Sequence, residues 1–160
     1  MTMPLDTSKP FPPIETIVPH RGTMLLLDSI AALDDESLRA HATVHGDAWY
    51  ADAKGAMPAW IGIELMAQAI AAHVALIAMR KGEQARPGVL LGSRSYEALR
   101  PSFARDSRLV VSATELLRSE AGHGAYECAI AMDGVCCARA VVKVFQPTDF
   151  RSFIEGSVSS

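Results

Sequence analysis

One stretch of this chain decides what the rest must do. Residues 57–79 read MPAWIGIELMAQAIAAHVALIAM, with Glu64 as the sole acid and no Lys or Arg. A helix that is apolar on nearly every side has to be enclosed. The run is also long enough to span a bilayer. Yet Glu64, Gln68 and His73 interrupt it, Ala and Gly outnumber Leu, and no second span accompanies it. The expectation is a core helix wrapped by a curved antiparallel sheet, an α+β architecture, with no membrane partner.

The flanking sequence supplies the strands. Residues 1–17, rich in Pro, Thr and Ser, are expected to form an extended arm, and Pro19-His20-Arg21-Gly22 a turn. Residues 23–33 (TMLLLDSIAAL) are a strand candidate. Residues 37–45 alternate, with Leu38, Ala40, Ala42 and Val44 on one face and Arg39, His41, Thr43 and His45 on the other. After the loop 45–56, Pro58 suits the first helical turn. Arg80-Lys81-Gly82 supplies the stop. Four more strands are expected, at 88–99, 107–119, 126–132 and 135–145, the last two joined by Asp133-Gly134. Residues 147–160 form a polar tail. The whole of 1–160 is expected to be one domain.

Composition narrows the function classes. A net charge of −3 without basic–aromatic clusters argues against nucleic acid. Three cysteines, with Cys136 and Cys137 adjacent, provide neither a disulfide framework nor metal spacing. The expected setting is reducing and cytoplasmic, with no signal segment in MTMPLDTSKPFPP.

The chemistry centres on Glu64. A buried carboxylate is costly unless paired, hydrogen-bonded or neutral, and such settings suit a general acid. The competing reading is an acid satisfied by a backbone donor or an arginine. Gln68, one turn on, shares its face and is placed to orient it. His73, nine residues on, lies on the opposite side. The first-turn N–H groups of Ala59, Trp60 and Ile61 lack intrahelical partners and could receive a polarised carbonyl oxygen, unless water or a side chain caps them.

Three segments in order carry a family resemblance. Pro19-His20-Arg21 with MLLLD, then MPAWIGIELMAQ, then RPGVLLGSRSYEALRPSF resemble motifs of the hotdog-fold 3-hydroxyacyl-[acyl-carrier-protein] dehydratases. PAWIGIELMAQAIAAH and LLGSRSYE are similar to the branch found in aryl-polyene gene clusters. The resemblance spans about residues 16 to 146. It implies a hotdog fold and a dimer with sites at the interface. It also implies dehydration of β-hydroxyacyl thioesters carried on acyl carrier protein phosphopantetheine, with no metal or diffusible cofactor. Glu64 falls on the catalytic acid, the Ala59 amide on the thioester-oxygen site, and Trp60 on a tunnel wall.

One departure matters. The family's catalytic His lies in a Gly-His-Phe motif fourteen residues before the acid, where this chain has Tyr50, and residues 49–56 hold no His. Three readings are open. His20 or, behind it, His45 supplies the base. Tyr50 lies near the site, although a phenol is a poor base at neutral pH. Or the chain is a non-catalytic or half-site partner subunit of a second hotdog dehydratase, the expected dimer being a homodimer or a heterodimer. A hotdog thioesterase is a further alternative. Arg21 is expected to pair structurally, and His123 to sit in a turn.

Overall fold

The apolar run folds mainly as helix α1 (Gly62–Arg80). In the computed structural model, which describes residues 11–83 and 89–146, α1 lies against six antiparallel strands. Ahead of it come β1 (Ser29–Leu33), β2 (Ser37–Thr43) and a short β3 (Met57–Pro58). After it come β4 (Val89–Ala98), the short β5 (Ser102–Phe103), β6 (Arg108–Arg118), β7 (His123–Met132) and β8 (Val135–Phe145). The sheet order is β1-β2-β6-β7-β8-β4, and β3 pairs separately with β5.

The alternation in β2 works as expected. Leu38, Ala40 and Ala42 are buried beneath the helix and pair with Ala113, Val111 and Leu109 of β6, and Val44, just past the strand, is buried as well. β6 answers with Leu109, Val111 and Ala113 on the same inner face. Ala69 and Ala72 of α1 are fully buried, and their small side chains let the helix sit close to the sheet. Among the described residues, one helical segment, Ala59–Arg80, is long and apolar enough to cross a membrane, and 61% of its most apolar window is buried inside the fold. The β7–β8 turn places Asp133 and Gly134 at φ 52° and 78°, the left-handed pair that a two-residue hairpin requires.

The helix boundaries differ from the sequence expectation. α1 begins at Gly62, not at Pro58, because Met57 and Pro58 are extended and pair with Phe103 and Ser102. A 3₁₀ turn at Ala59–Ile61 joins the two. At the other end Glu83 N–H donates to the Ala78 carbonyl and Gly82 N–H to that of Met79, with Gly82 at φ 71°. That is a Schellman stop.

The N-terminal segment also departs from expectation. Residues 1–10 and the tail 147–160 lie outside the described residues. Residues 14–16 form a 3₁₀ turn rather than an extended arm, because Ile14, Ile17 and Val18 are drawn into the core. Only Ser29–Leu33 of the predicted strand 23–33 joins the sheet. Backbone groups of Met24, Leu26 and Leu27 are bound to a helix side chain instead.

Gly62 is a close-packing point. A Cβ there would collide with the Tyr96 hydroxyl oxygen, which donates to the Ala59 carbonyl. Gly62→Ala is expected to lower stability by about 1–3 kcal/mol through overpacking. Tyr96→Phe removes the obstructing oxygen, so the same change in that background should cost less than ~1 kcal/mol. Thermal melts of the four proteins in the cycle check this.

Candidate active site

Gln68 is fully buried and uses every hydrogen-bonding position of its amide. Its Oε1 accepts from the N–H groups of Leu26 (2.9 Å) and Leu27 (3.3 Å). Its Nε2 donates to the Met24 carbonyl (2.7 Å) and to Glu64 Oε1 (3.2 Å). One side chain thus orients the carboxylate and pins the segment that follows the Pro-His-Arg turn.

That turn delivers His20. Arg21 Nη1 donates to the carbonyls of Val18 (2.5 Å) and His20 (2.7 Å), and Gly22 continues at φ 59°. The clasp places His20 Nε2 3.3 Å from Glu64 Oε1. His20 Nδ1 is buried and has no hydrogen-bond partner among the described residues. Glu64 is not the fully buried acid the sequence implied, since its side chain is 34% exposed.

The other expected residues do not converge on this pair. The Ala59 N–H donates to the Pro101 carbonyl (3.0 Å), so that amide is already taken by the approach of β5. Trp60 is 64% exposed and is not among the residues lining the cavity beside Glu64. Tyr50 is buried in the core, edge-on to Trp49, with its hydroxyl accepting from the His45 backbone N–H (2.9 Å). Burial pushes its phenol up from the ordinary value. Tyr50 therefore closes its own loop and does not face Glu64. His45 is exposed and lies outside the cavity beside Glu64.

That cavity has a volume of about 420 Å³. It starts at His20 and Glu64 and follows the apolar stripe Ala67, Ile70, Ala71 and Val74. It ends at a polar group that sequence reasoning missed. Glu115 Oε2 accepts from the Tyr126 hydroxyl (3.1 Å) and pairs with Arg118 Nη2 (3.1 Å). Behind them the buried His73 places Nδ1 2.9 Å from the Tyr126 hydroxyl. With its one proton given to Glu115, Tyr126 accepts from His73. Burial lowers the His73 pKa and raises that of Tyr126. The signal for Glu115 was present, since it falls on the inward register after Leu109, Val111 and Ala113. His123 opens β7 rather than ending a turn, and its ring stacks on Phe145 at the cavity rim (centroids 4.6 Å).

The fold has known counterparts. A family model described as ApeP-like, ApeP dehydratase, matches residues 12–155. Among solved structures, the dehydratase heterocomplex ApeI:P from Xenorhabdus doucetiae aligns with TM-score 0.83 and 27% identity, over 91% of this chain and 97% of that chain. A hypothetical thioesterase with coenzyme A from Streptococcus pneumoniae aligns with TM-score 0.60 and 16% identity, over 74% and 84%. The phenylacetic acid degradation protein PaaI from Thermus thermophilus gives 0.56 and 20%, over 74% and 91%. The last two show the hotdog fold alone. No curated protein matches the chain by sequence.

Two outcomes are expected. Gln68→Leu strands the Leu26 and Leu27 N–H groups, lowering stability by about 2–3 kcal/mol in urea unfolding. The depressed His73 pKa makes the unfolded chain the first to bind a proton as pH falls below about 6.5. Stability from this group is complete above that pH and is lost below it, by at most ~1.4 kcal/mol per pH unit. His73→Gln should flatten that limb of the curve.

Proposed function

The chain belongs to the ApeP-like dehydratase family, and from that premise we propose that it removes water from a β-hydroxyacyl thioester held on the phosphopantetheine of an acyl carrier protein, in aryl polyene synthesis. The observation that carries this reading is the His20–Glu64 contact of 3.3 Å at the head of an apolar cavity.

The chemistry follows from what the two groups can exchange. Neutral His20 takes the α-proton of the thioester through Nε2. The C–H electron pair becomes the new C=C bond and the β C–O bond breaks. Glu64, in its acid form, gives its proton to the departing hydroxyl, which leaves as water. The pair then stands as imidazolium and carboxylate. Both side chains are partly exposed, so proton exchange with solvent returns His20 to its neutral form and Glu64 to its acid form and closes the cycle. Gln68 is a positioning residue, fixing the carboxyl through Glu64 Oε1 and His20 through the 24–27 backbone. Glu64 is also the one ionisable side chain of the run 57–79 besides His73, which faces the opposite side and is fully buried.

A second reading draws on the loop 49–56, which contains no His and whose Tyr50 is held in the core. On that reading the subunit works joined to a second hotdog dehydratase that supplies the base. The similarity to a dehydratase heterocomplex supports it.

The assay offers purified protein a 3-hydroxyacyl-carrier protein and reads the 2-enoyl product by mass. Glu64→Gln and His20→Ala are each expected to lower kcat by about 10²–10⁴-fold, the range for loss of a general acid or base. An unchanged rate in Glu64→Gln removes that residue from the mechanism. Activity that emerges only on mixing with a second hotdog dehydratase, and survives His20→Ala, selects the second reading. Release of free acid and thiol marks a thioesterase.

A further inference from the structure

The turn that carries His20 is held from two directions, by α1 and by the loop 45–56. His20 Nδ1 is buried and meets no hydrogen-bond partner among the described residues. A working imidazole commonly has its second nitrogen tied to a carbonyl or carboxylate, which fixes the ring. Here the ring takes its direction from the backbone that bears it.

Every carbonyl of that backbone from His20 to Met24 is occupied. The His20 carbonyl accepts from Arg21 Nη1 (2.7 Å). Those of Arg21 and Gly22 accept from the Met24 and Leu25 N–H groups (3.2 Å each). The Thr23 carbonyl accepts from the indole Nε1 of Trp49 (2.8 Å). The Met24 carbonyl accepts from Gln68. The first three bonds are internal to the turn. Among the described residues, the side chains of Trp49 and Gln68 are the donors that reach these carbonyls from other elements. A segment with one outside anchor can swing about it, whereas two anchors on different elements remove that freedom.

Trp49 is a firm anchor. Its loop is closed by the buried Tyr50, whose hydroxyl accepts from the His45 N–H (2.9 Å). The Trp49 and Tyr50 rings meet edge to face, with centroids 5.6 Å apart. Trp49 itself is 51% exposed. Burial alone does not call for so large a ring at this place, and a phenylalanine would lack the donor.

We propose that Trp49 is a positioning residue, which holds the turn at Thr23 through its indole N–H so that His20 Nε2 stays against Glu64. The use of that contact in catalysis rests on the proposed function, whereas the contact itself can be read without turnover.

The test compares the full chain with Trp49→Phe, which keeps an aromatic ring and removes the donor. NMR reads the contact from the His20 imidazole resonance, assigned by its loss in His20→Ala. Glu64→Gln should move that resonance, and in the Trp49→Phe background should move it less than about half as far. With a 3-hydroxyacyl-carrier protein as substrate, Trp49→Phe should lower kcat about tenfold and change KM by less than about twofold, because small misplacements of a reacting group are costly. In a His20→Ala background the same change should lower kcat by less than about twofold, since the group it positions is gone. A merely structural role would lower kcat alike in both backgrounds. In the wild type, the Trp49 indole N–H should exchange with solvent about tenfold more slowly than that of Trp60, a comparison that needs no variant to fold. Equal exchange at the two indoles overturns the proposal. So does a Glu64-dependent shift undiminished in Trp49→Phe, or an equal loss of kcat in both backgrounds. A diminished shift with kcat unchanged keeps the positioning and removes His20 from the chemistry. A diminished shift in a protein without turnover keeps it and removes the dehydratase reading.

Discussion

The amide of Gln68 is the contact on which this architecture turns. A buried primary amide with all its positions used is a small piece of sheet ladder carried on a helix. It takes the backbone of residues 24–27, which would otherwise need a strand beside them. In doing so it fixes the distance between the Pro-His-Arg turn and α1. The imidazole and carboxylate meet because a third side chain holds the two backbones that bear them. None of the three gains its position from its own element alone.

The helix and the sheet each break their apolar pattern once on the cavity side, and in the same manner. Glu64 interrupts the uncharged run of α1, and Glu115 interrupts the inner face of β6. Both carboxylates have neighbours that orient them: Gln68 and His20 for one, Tyr126 and Arg118 for the other. The cavity is lined along α1 by apolar side chains and elsewhere by a polar set that includes His20, Glu64, Glu115, Arg118, Glu120 and His123. The two carboxylates enter it as single-residue departures from otherwise regular sequence periods.

Patterns with strong periodicity were legible in the sequence. The alternation of Leu38, Ala40, Ala42 and Val44, the Asp133-Gly134 hairpin and the enclosed helix all express short-range rules. The motif resemblance to dehydratases agrees with the family match over 12–155. What escaped was set by long-range contacts. The Ala59 amide looked free because nothing local competes for it, but Pro101 approaches from forty-two residues away. Tyr50 occupied the position of a missing histidine in the alignment of motifs, yet its size and apolar ring drew it into the core. The strand expected over 23–33 was shortened by a side chain on another element. Glu115 was readable by register, but a lone Glu near the end of a strand is usually solvated, and only the fold reveals Tyr126 beside it.

β4 is one of the two edge strands of the sheet, and from it Tyr96 reaches inward to the carbonyl of Ala59, just ahead of α1. Gly62 leaves the room that this reach requires. The rim of the sheet is thereby tethered to the start of the helix, two residues before Glu64. Whatever sets the lie of that border strand also sets the pitch at which the acid enters the cavity. The molecule's margin and its chemistry are mechanically one part.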